Sequence, residues 1–531
     1  MRALLIAGLL QAPQPPTPPP GLVLQISTRL VQVSVVVQDK TGKPVSGLTK
    51  DDFVLTDKGK EQEIRFFSTE ANDASDDQAQ PPLPEGVYSN RLAAAIDPDR
   101  STAPSTLTVI LLDGLNTQFA DRSYMSSAVL RVLAHARPGD RIALYALNNG
   151  LRVLHDFTAV TPARPESMAE LATPELTLAD MIKNAQEEPE QFYMKHQAES
   201  TLAALEYIAF HLQGFTGRKN LVWISGGFPF SIGWGAKSTG RDYVYFGDQI
   251  HRVVREFNQA GIAIYPVDVR GLTGMFEMDP RLAAAAHEDG VFRSRQIFAS
   301  DTYELMRSRE AAMSQLADQT GGRAFLDSNG LEEAIQTAVN DARFTYLLSY
   351  QPTHDQWDGS FREIKIRVKR PGLKARYRPG YLALPSLDET PGSEAARKAA
   401  LITAGSGPLL STGLTLQASG GQASAGLAAR ESQFLQVDFT LDANELSFAG
   451  NPAGQREAVV DLTVVLRDAK GKAVSSVTRT MHRTLRDSDS KDPAFIPLTL
   501  WVPRAHSATV ARLVARDTIT GLVGSVDIPL N

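Results

Sequence analysis

The chain contains no cysteine among its 531 residues. Disulfides, thiolate metal sites, a cysteine nucleophile and a lipoprotein anchor are all excluded by that one absence. A surplus of positive charge is missing too: 54 Lys and Arg face 60 Asp and Glu, giving a net charge of -6 and a pI near 5.9. No bulk field draws the protein to nucleic acid or to anionic lipid. A basic stretch such as Lys365-Ile-Arg-Val-Lys369 alternates with apolar residues, as the solvated face of a strand does. No segment is long and apolar enough to be a membrane span, which takes roughly 20 residues. Catalytic signatures are equally scarce. The nine histidines include no pair at zinc-ligand spacing, and His287-Glu288 is not followed by a second His. Gly214-Phe-Thr-Gly-Arg-Lys-Asn220 lacks the glycine spacing and the final Ser or Thr of a P-loop. Trp223-Ile-Ser-Gly-Gly227 lacks the Gly two residues before the serine that a nucleophile elbow requires.

Apolar residues, at 43%, are plentiful enough for sizeable cores, and the length suggests about three or four domains. Met1-Arg2, the apolar run Ala3 to Leu10, Gln11-Ala12 and the proline-rich tract Pro13 to Pro20 read as a signal peptide cut after Ala12. Residues 1–20 are therefore set aside as a signal peptide and Pro-rich segment, and the protein is expected to be exported, periplasmic or extracellular.

Residues 22–70 read as an N-terminal β module. Leu30 to Val37 is rich in β-branched residues, and Phe53 to Asp57 and Glu63 to Phe67 bracket a hairpin signal at Lys58-Gly59-Lys60. Residues 71–105 have linker composition. From 106 to 342 strands and helices alternate, which argues a doubly wound, mostly parallel sheet. Strands are expected at 107–112, 141–147, 151–156, 220–225, 262–268 and 323–326. Amphipathic helices are expected over Arg122 to Ala136, over Thr201 to Gln213 with Gly214 as the stop, and around Ile250 to Phe257 before Gly261. Residues 163–198 and 271–300 read as insertions. Residues 343–384 return to strands as a β extension, 385–399 form a second linker, and 400–531 carry about seven short strands of a β-sandwich. The fold class expected is a multi-domain chain whose doubly wound α/β centre is flanked by all-β immunoglobulin-like modules.

One stretch carries most of the chemistry. The apolar strand from Thr108 ends abruptly in Asp113-Gly-Leu-Asn-Thr117, and open parallel sheets bind ligands outside the carboxyl ends of their strands. Asp113, Asn116 and Thr117 are the first candidates. Ser225 and Asp268, at the ends of two further strands, point to the same edge.

The central domain resembles the von Willebrand factor type A fold. The matching residues are the strand into Asp113-Gly-Leu-Asn-Thr117, Pro138-Gly-Asp-Arg141, Gly217-Arg-Lys-Asn-Leu-Val-Trp-Ile-Ser-Gly-Gly227 and Leu316-Ala-Asp-Gln-Thr-Gly-Gly-Arg-Ala-Phe325. With the β module before it and Tyr265-Pro-Val-Asp-Val-Arg-Gly271 inside it, residues 25–385 look like the secreted von Willebrand factor A-related proteins of acidobacteria. The resemblance implies a metal-ion-dependent adhesion site, in which an Asp-x-Ser-x-Ser loop, a Thr from a second loop and an Asp from a third surround a Mg²⁺. A small hard cation of that kind wants oxygens in near-octahedral order, several of them water. Asp113 and Thr117 match the first loop, and Thr201 matches the second-loop Thr. Leu115 stands where the middle Ser belongs, and Gly226 stands where the third-loop acid belongs. Asn116, Ser225 or Asp268 could supply the missing oxygens. The alternative needs no ion: Asp113 caps a helix or hydrogen-bonds its own loop.

The expectation is a non-enzymatic binding protein with a degenerate metal site, taking a protein ligand or, second, a glycan through Asp113, Asn116, Thr117, Thr201, Ser225 and Asp268. Two rivals stand beside it. One is a serine-type hydrolase using Ser225 with His155 or His251; the other is a structural assembly component of the cell envelope. His155-Asp156 reads as an acid/base pair or as a structural histidine, and Asp268 has the alternative role of holding Arg270. The apolar loop Phe228 to Trp234 either anchors a partner with exposed aromatics or covers the sheet.

Overall fold

The computed structural model describes residues 30–70, 86–90, 107–136, 141–148, 150–155, 157, 189–215, 218–228, 231–232, 244–270, 310–326, 330–342, 345–354, 356–358, 360–383, 393–419, 434–450, 455–485 and 495–530. Residues 1–20, the insertion up to residue 188, the 271–300 insertion, Pro138 to Asp140, Asp156 and Trp234 lie outside the described residues.

The apolar strand ending at Asp113 is the middle of a five-stranded sheet. In spatial order the strands are Ile262–Asp268, Lys219–Ser225, Leu107–Asp113, Arg141–Leu147 and Leu151–His155. The first four are parallel and the last is antiparallel. All seven residues of Leu107–Asp113 are buried, because helices cover both faces. Val109 and Leu111 face a layer that includes Leu205, Ile208, Val253 and Leu316. Ile110 and Leu112 face the opposite layer, with Met125, Val129, Ile335 and Val339. The segment expected as a strand at 323–326 contributes a single parallel bridge, Val267 to Phe325.

The helix expected from Thr201 begins earlier, at Pro189, and runs to Leu212, so Thr201 lies inside it. Gly214 is not a left-handed stop. A Cβ there would meet the Thr412 carbonyl oxygen at 2.1 Å, so the glycine permits a close backbone approach from the C-terminal region. Gly261, at φ 66°, does end the helix Gly247–Gln259 in the left-handed conformation.

The β segments on either side of the central domain form one unit. Thr345–Tyr350 inserts between Val31–Gln38 and Ile64–Glu70, and Lys374–Arg376 pairs with the far end of Val31–Gln38. A second sheet runs Gly380–Leu382, Phe361–Val368, Phe53–Asp57, Lys60–Gln62. Val33, Val35, Leu55, Leu348 and Ile364 share the core between the sheets. The central domain is thus inserted into a sandwich whose two halves are separated in sequence. The hairpin turn is Lys58-Gly59, at φ 46° and 79°, and it joins Phe53–Asp57 to Lys60–Gln62.

Both stretches read as linkers contribute structure. Val87–Ser89 adds a strand to Leu416–Ser419, and the Asn90 side chain donates to the Ser411 and Leu414 carbonyls while accepting from Leu416 N. Ser393–Ser406 is a helix whose Ala400, Leu401 and Ala404 pack on Phe210, Val514 and Val523. The C-terminal unit places the sheet of 495–503, 434–442, 416–419 and 87–89 against a second one. That sheet comprises 449–450, 456–468, 473–485, 508–517 and 523–529. Leu416, Val437, Val460 and Leu513 are in its core.

Candidate functional site

The loop after Leu107–Asp113 is tied down by the carboxylate that begins it. Asp113 is fully buried. Its Oδ1 accepts from Asn116 N at 3.0 Å. Its Oδ2 accepts from Asn116 Nδ2 at 2.8 Å, Ser225 Oγ at 2.8 Å and Trp223 Nε1 at 3.0 Å. Thr117 Oγ1 donates to the Asp113 carbonyl at 2.5 Å and accepts from Gly226 N at 3.0 Å. Asn116 Nδ2 also donates to Thr201 Oγ1 at 2.7 Å, and Thr201 in turn donates to the Gln197 carbonyl one helical turn back. Arg122 closes the other side with bonds to the Gly114 and Thr117 carbonyls, and Gln197 Nε2 donates to Leu115 O.

The structure therefore brings Asp113, Asn116, Thr117, Thr201 and Ser225 into one network. Asp268 sits in register with Ser225 on the adjacent strand, but Arg270 holds its carboxylate from Nε and Nη2 at 2.5–3.2 Å. That is the structural role sequence reasoning set beside the binding one. Of the two ion-free readings of Asp113, the loop bond is present. The helix cap is not: Phe119–Ala134 starts at Gln118, which makes no side-chain cap.

Burial raises the Asp113 carboxyl above its ordinary pKa, and the donors from Asn116, Ser225 and Trp223 oppose that shift by favouring the anion. Four donated bonds leave the carboxylate satisfied without a cation. The residues present do not fit a resident Mg²⁺ held by Asp113, Thr117 and Thr201. Asn116 Nδ2, a donor, lies within hydrogen-bond distance of both Asp113 and Thr201, the two groups a cation would bridge. Leu115 is buried in the core beside Leu205 and Trp223 rather than offering an oxygen. An acid at 226 would need a Cβ, and a Cβ there meets Asn116 O at 2.5 Å. Among the described residues no three His, Cys, Asp or Glu side chains converge as metal ligands.

Ser225 is fully buried and its hydroxyl donates to Asp113 while accepting from Gly227 N at 3.1 Å. A nucleophile needs an oxygen that a substrate can reach, and this one is fully buried. Phe228 is buried between Trp223 and Phe246, at ring distances of 6.1 and 6.5 Å, so the start of the aromatic loop covers the sheet. Four participants escaped sequence reasoning: Trp223, Arg122, Gln197 and Asn148. Asn148 Oδ1 is buried beside Gly114 with no donor among the described residues. Only Gln197 carried a usable signal, four residues before Thr201 on the same helix face.

No family model and no curated protein matches the sequence. Among solved structures, an aerotolerance-related membrane protein from Bacteroides fragilis is 12% identical and covers 44% of this chain and 98% of its own, at a TM-score of 0.24. A von Willebrand factor type A protein from Catenulispora acidiphila is 10% identical over 56% of this chain and 71% of its own, at 0.23. Proximal thread matrix protein 1 from mussel byssus, with a zinc-occupied MIDAS motif, is 11% identical over 45% of this chain and 48% of its own, at 0.21. The strand order and register above, rather than these shallow overlaps, carry the α/β fold.

Proposed function

We propose that this chain is an exported, non-enzymatic binding protein whose central α/β domain presents the loop from Asp113 to Gln118 to a protein partner without using a metal. The observation that carries this reading is the bracing of the loop by Asp113, which fixes a sheet-edge surface while leaving no free nucleophile or general base in it. Gln118 is exposed and Asn116 is half-buried at this edge. The place at the carboxyl edge of a parallel sheet also favours ligand binding. Export rests on the N-terminal sequence and is tested by fractionation.

The test uses the purified full chain as bait for envelope extract, comparing wild type, Gln118→Arg and wild type in EDTA. The reading expects a specific protein retained by wild type, retained in EDTA and lost with Gln118→Arg. Retention by Gln118→Arg removes the loop from the interface, and loss in EDTA makes the interaction metal-dependent. A second reading, a structural assembly component, is favoured by Phe434 and Trp501, both over 40% exposed on the outer face of two paired strands. In that case Gln118→Arg leaves the capture intact, and Trp501→Ser abolishes it.

A further inference from the structure

Where the inserted domain meets the sandwich, a cavity of about 20 Å³ lies between two buried arginines. Its walls include Arg218, Asn258 and Thr320 from the central domain and Gln32, Ser34 and Arg378 from the sandwich. Arg218 is 1% exposed, and its bonds include those to Asn220 Oδ1, Tyr265 OH and the Gly321 carbonyl, each at 3.1 Å. Arg378 is 9% exposed. Its Nη2 donates to the Gln32 carbonyl at 2.7 Å, its Nε is buried with no partner, and no ion pair joins it to a carboxylate among the described residues.

A buried guanidinium without a counter-ion is costly, since burial penalises the charge and nothing returns that energy. Carboxylates in the neighbourhood are engaged elsewhere. Asp341 is held by Arg376, Tyr265 and Gln38, and Asp57 accepts from Tyr350 and Tyr381. Arg376, paired with Asp341, is repelled by Arg218 and Arg323. The other polar walls, from Gln32, Ser34, Asn258 and Thr320, bring neutral amide and hydroxyl groups rather than negative charge. A volume of 20 Å³ exceeds the roughly 10–15 Å³ that one water needs and is small for a tetrahedral oxyanion.

We infer that this cavity is a binding site for a small monatomic anion of the chloride class, held between Arg218 and Arg378 and joining the central domain to the sandwich. The anion supplies the charge that the chain itself withholds from Arg378, so the site works as an inter-domain clamp and is independent of the Asp113 loop.

Thermal unfolding of the full chain at constant ionic strength tests it, with sodium chloride exchanged for sodium gluconate or sodium sulfate. Chloride is expected to raise the transition by about 2 °C at ten times its dissociation constant, with gluconate and sulfate inert. Arg378→Gln is expected to abolish the difference, while the exposed-site variant Lys365→Gln keeps it. Should Arg378→Gln fail to fold, crystals of wild type soaked in bromide provide the second measurement, with an anomalous peak expected between Arg218 and Arg378. Equal transitions in chloride and gluconate, or no bromide peak there, would overturn the assignment. Stabilisation by sulfate instead of chloride would overturn the monatomic class.

Discussion

Glu256 should make this protein less stable as the solution becomes more alkaline. It lies on the helix Gly247–Gln259, 5% exposed, near Arg516 at the seam with the C-terminal unit. Its contacts are poor for so buried a group: Gln213 Nε2 donates at 3.4 Å and Arg255 Nε lies 3.9 Å away. Burial raises its pKa from 4.5 to about 7 and the neighbouring Glu206 adds to the rise, against the opposing pull of Arg255, Arg516 and Arg252. The folded state thus holds the proton more tightly than the unfolded one. Stability is fully present below the unfolded pKa of 4.5 and is lost as pH rises through 7, by about 3 kcal/mol at most for such a shift. Glu256→Gln keeps the shape and removes the ionisation. Urea unfolding of both proteins at pH 4 and pH 8 should give nearly equal midpoints at the lower pH. At the higher pH the variant should be more stable, by about 2–3 kcal/mol. The arginines are already included in the shift, so loss of their attraction does not cancel the gain. A variant equally or less stable than wild type at pH 8 would refute the reasoning.

Three further outcomes follow from the packing of the loop and the seams. Asp113→Ala leaves Ser225, Trp223 and Asn116 without their acceptor and should cost about 3–5 kcal/mol in urea unfolding; a loss under 1 kcal/mol would mean the network holds nothing. Leu115→Ser restores the hydroxyl of the adhesion-site pattern but empties a core position, so it should lower stability by about 2–4 kcal/mol and produce no Mg²⁺ heat by calorimetry. Measurable Mg²⁺ binding by that variant would contradict the misfit argued from Asn116 and Gly226. Gly214→Ala places a methyl 2.1 Å from the Thr412 oxygen and should lower the melting temperature, with faster proteolysis between the central and C-terminal units; unchanged resistance would mean the seam is compliant.

The central sheet was legible because its signal is local. Each strand is a nearly continuous apolar run, as burial on both faces demands, and the helices between them carry a readable stripe. What escaped was set by pairings distant in sequence. Nothing in Val31–Gln38 announces that its partner is Thr345–Tyr350, so one sandwich read as two β pieces. Val87–Ser89 is three residues long within a polar stretch, and it joins a sheet because Asn90 anchors it to backbone groups more than 320 residues away. Near the loop, residue types were visible and their bonds were not. Trp223 packs in the core as its type suggests, but its indole N–H also serves Asp113.

The same limit explains why the loop could suggest a metal centre that its geometry does not fit. Asp, Asn and Thr at this spacing satisfy either a cation or one another, and the deciding atoms belong to other segments. Gly226 is required because the Asn116 carbonyl approaches where a side chain would begin, so the missing acid and the position of Asn116 are one fact. With Asn116 turned inward, its amide hydrogens reach both Asp113 and Thr201, and the carboxylate takes partners from its own loop and from the strand Lys219–Ser225. An aspartate can therefore persist at a ligand edge for a reason unrelated to ions: it joins the ends of Leu107–Asp113 and Lys219–Ser225 to the helix carrying Thr201. Binding at this edge then depends on the outward side chain of Gln118, and an altered partner preference should map to it before it maps to Asp113.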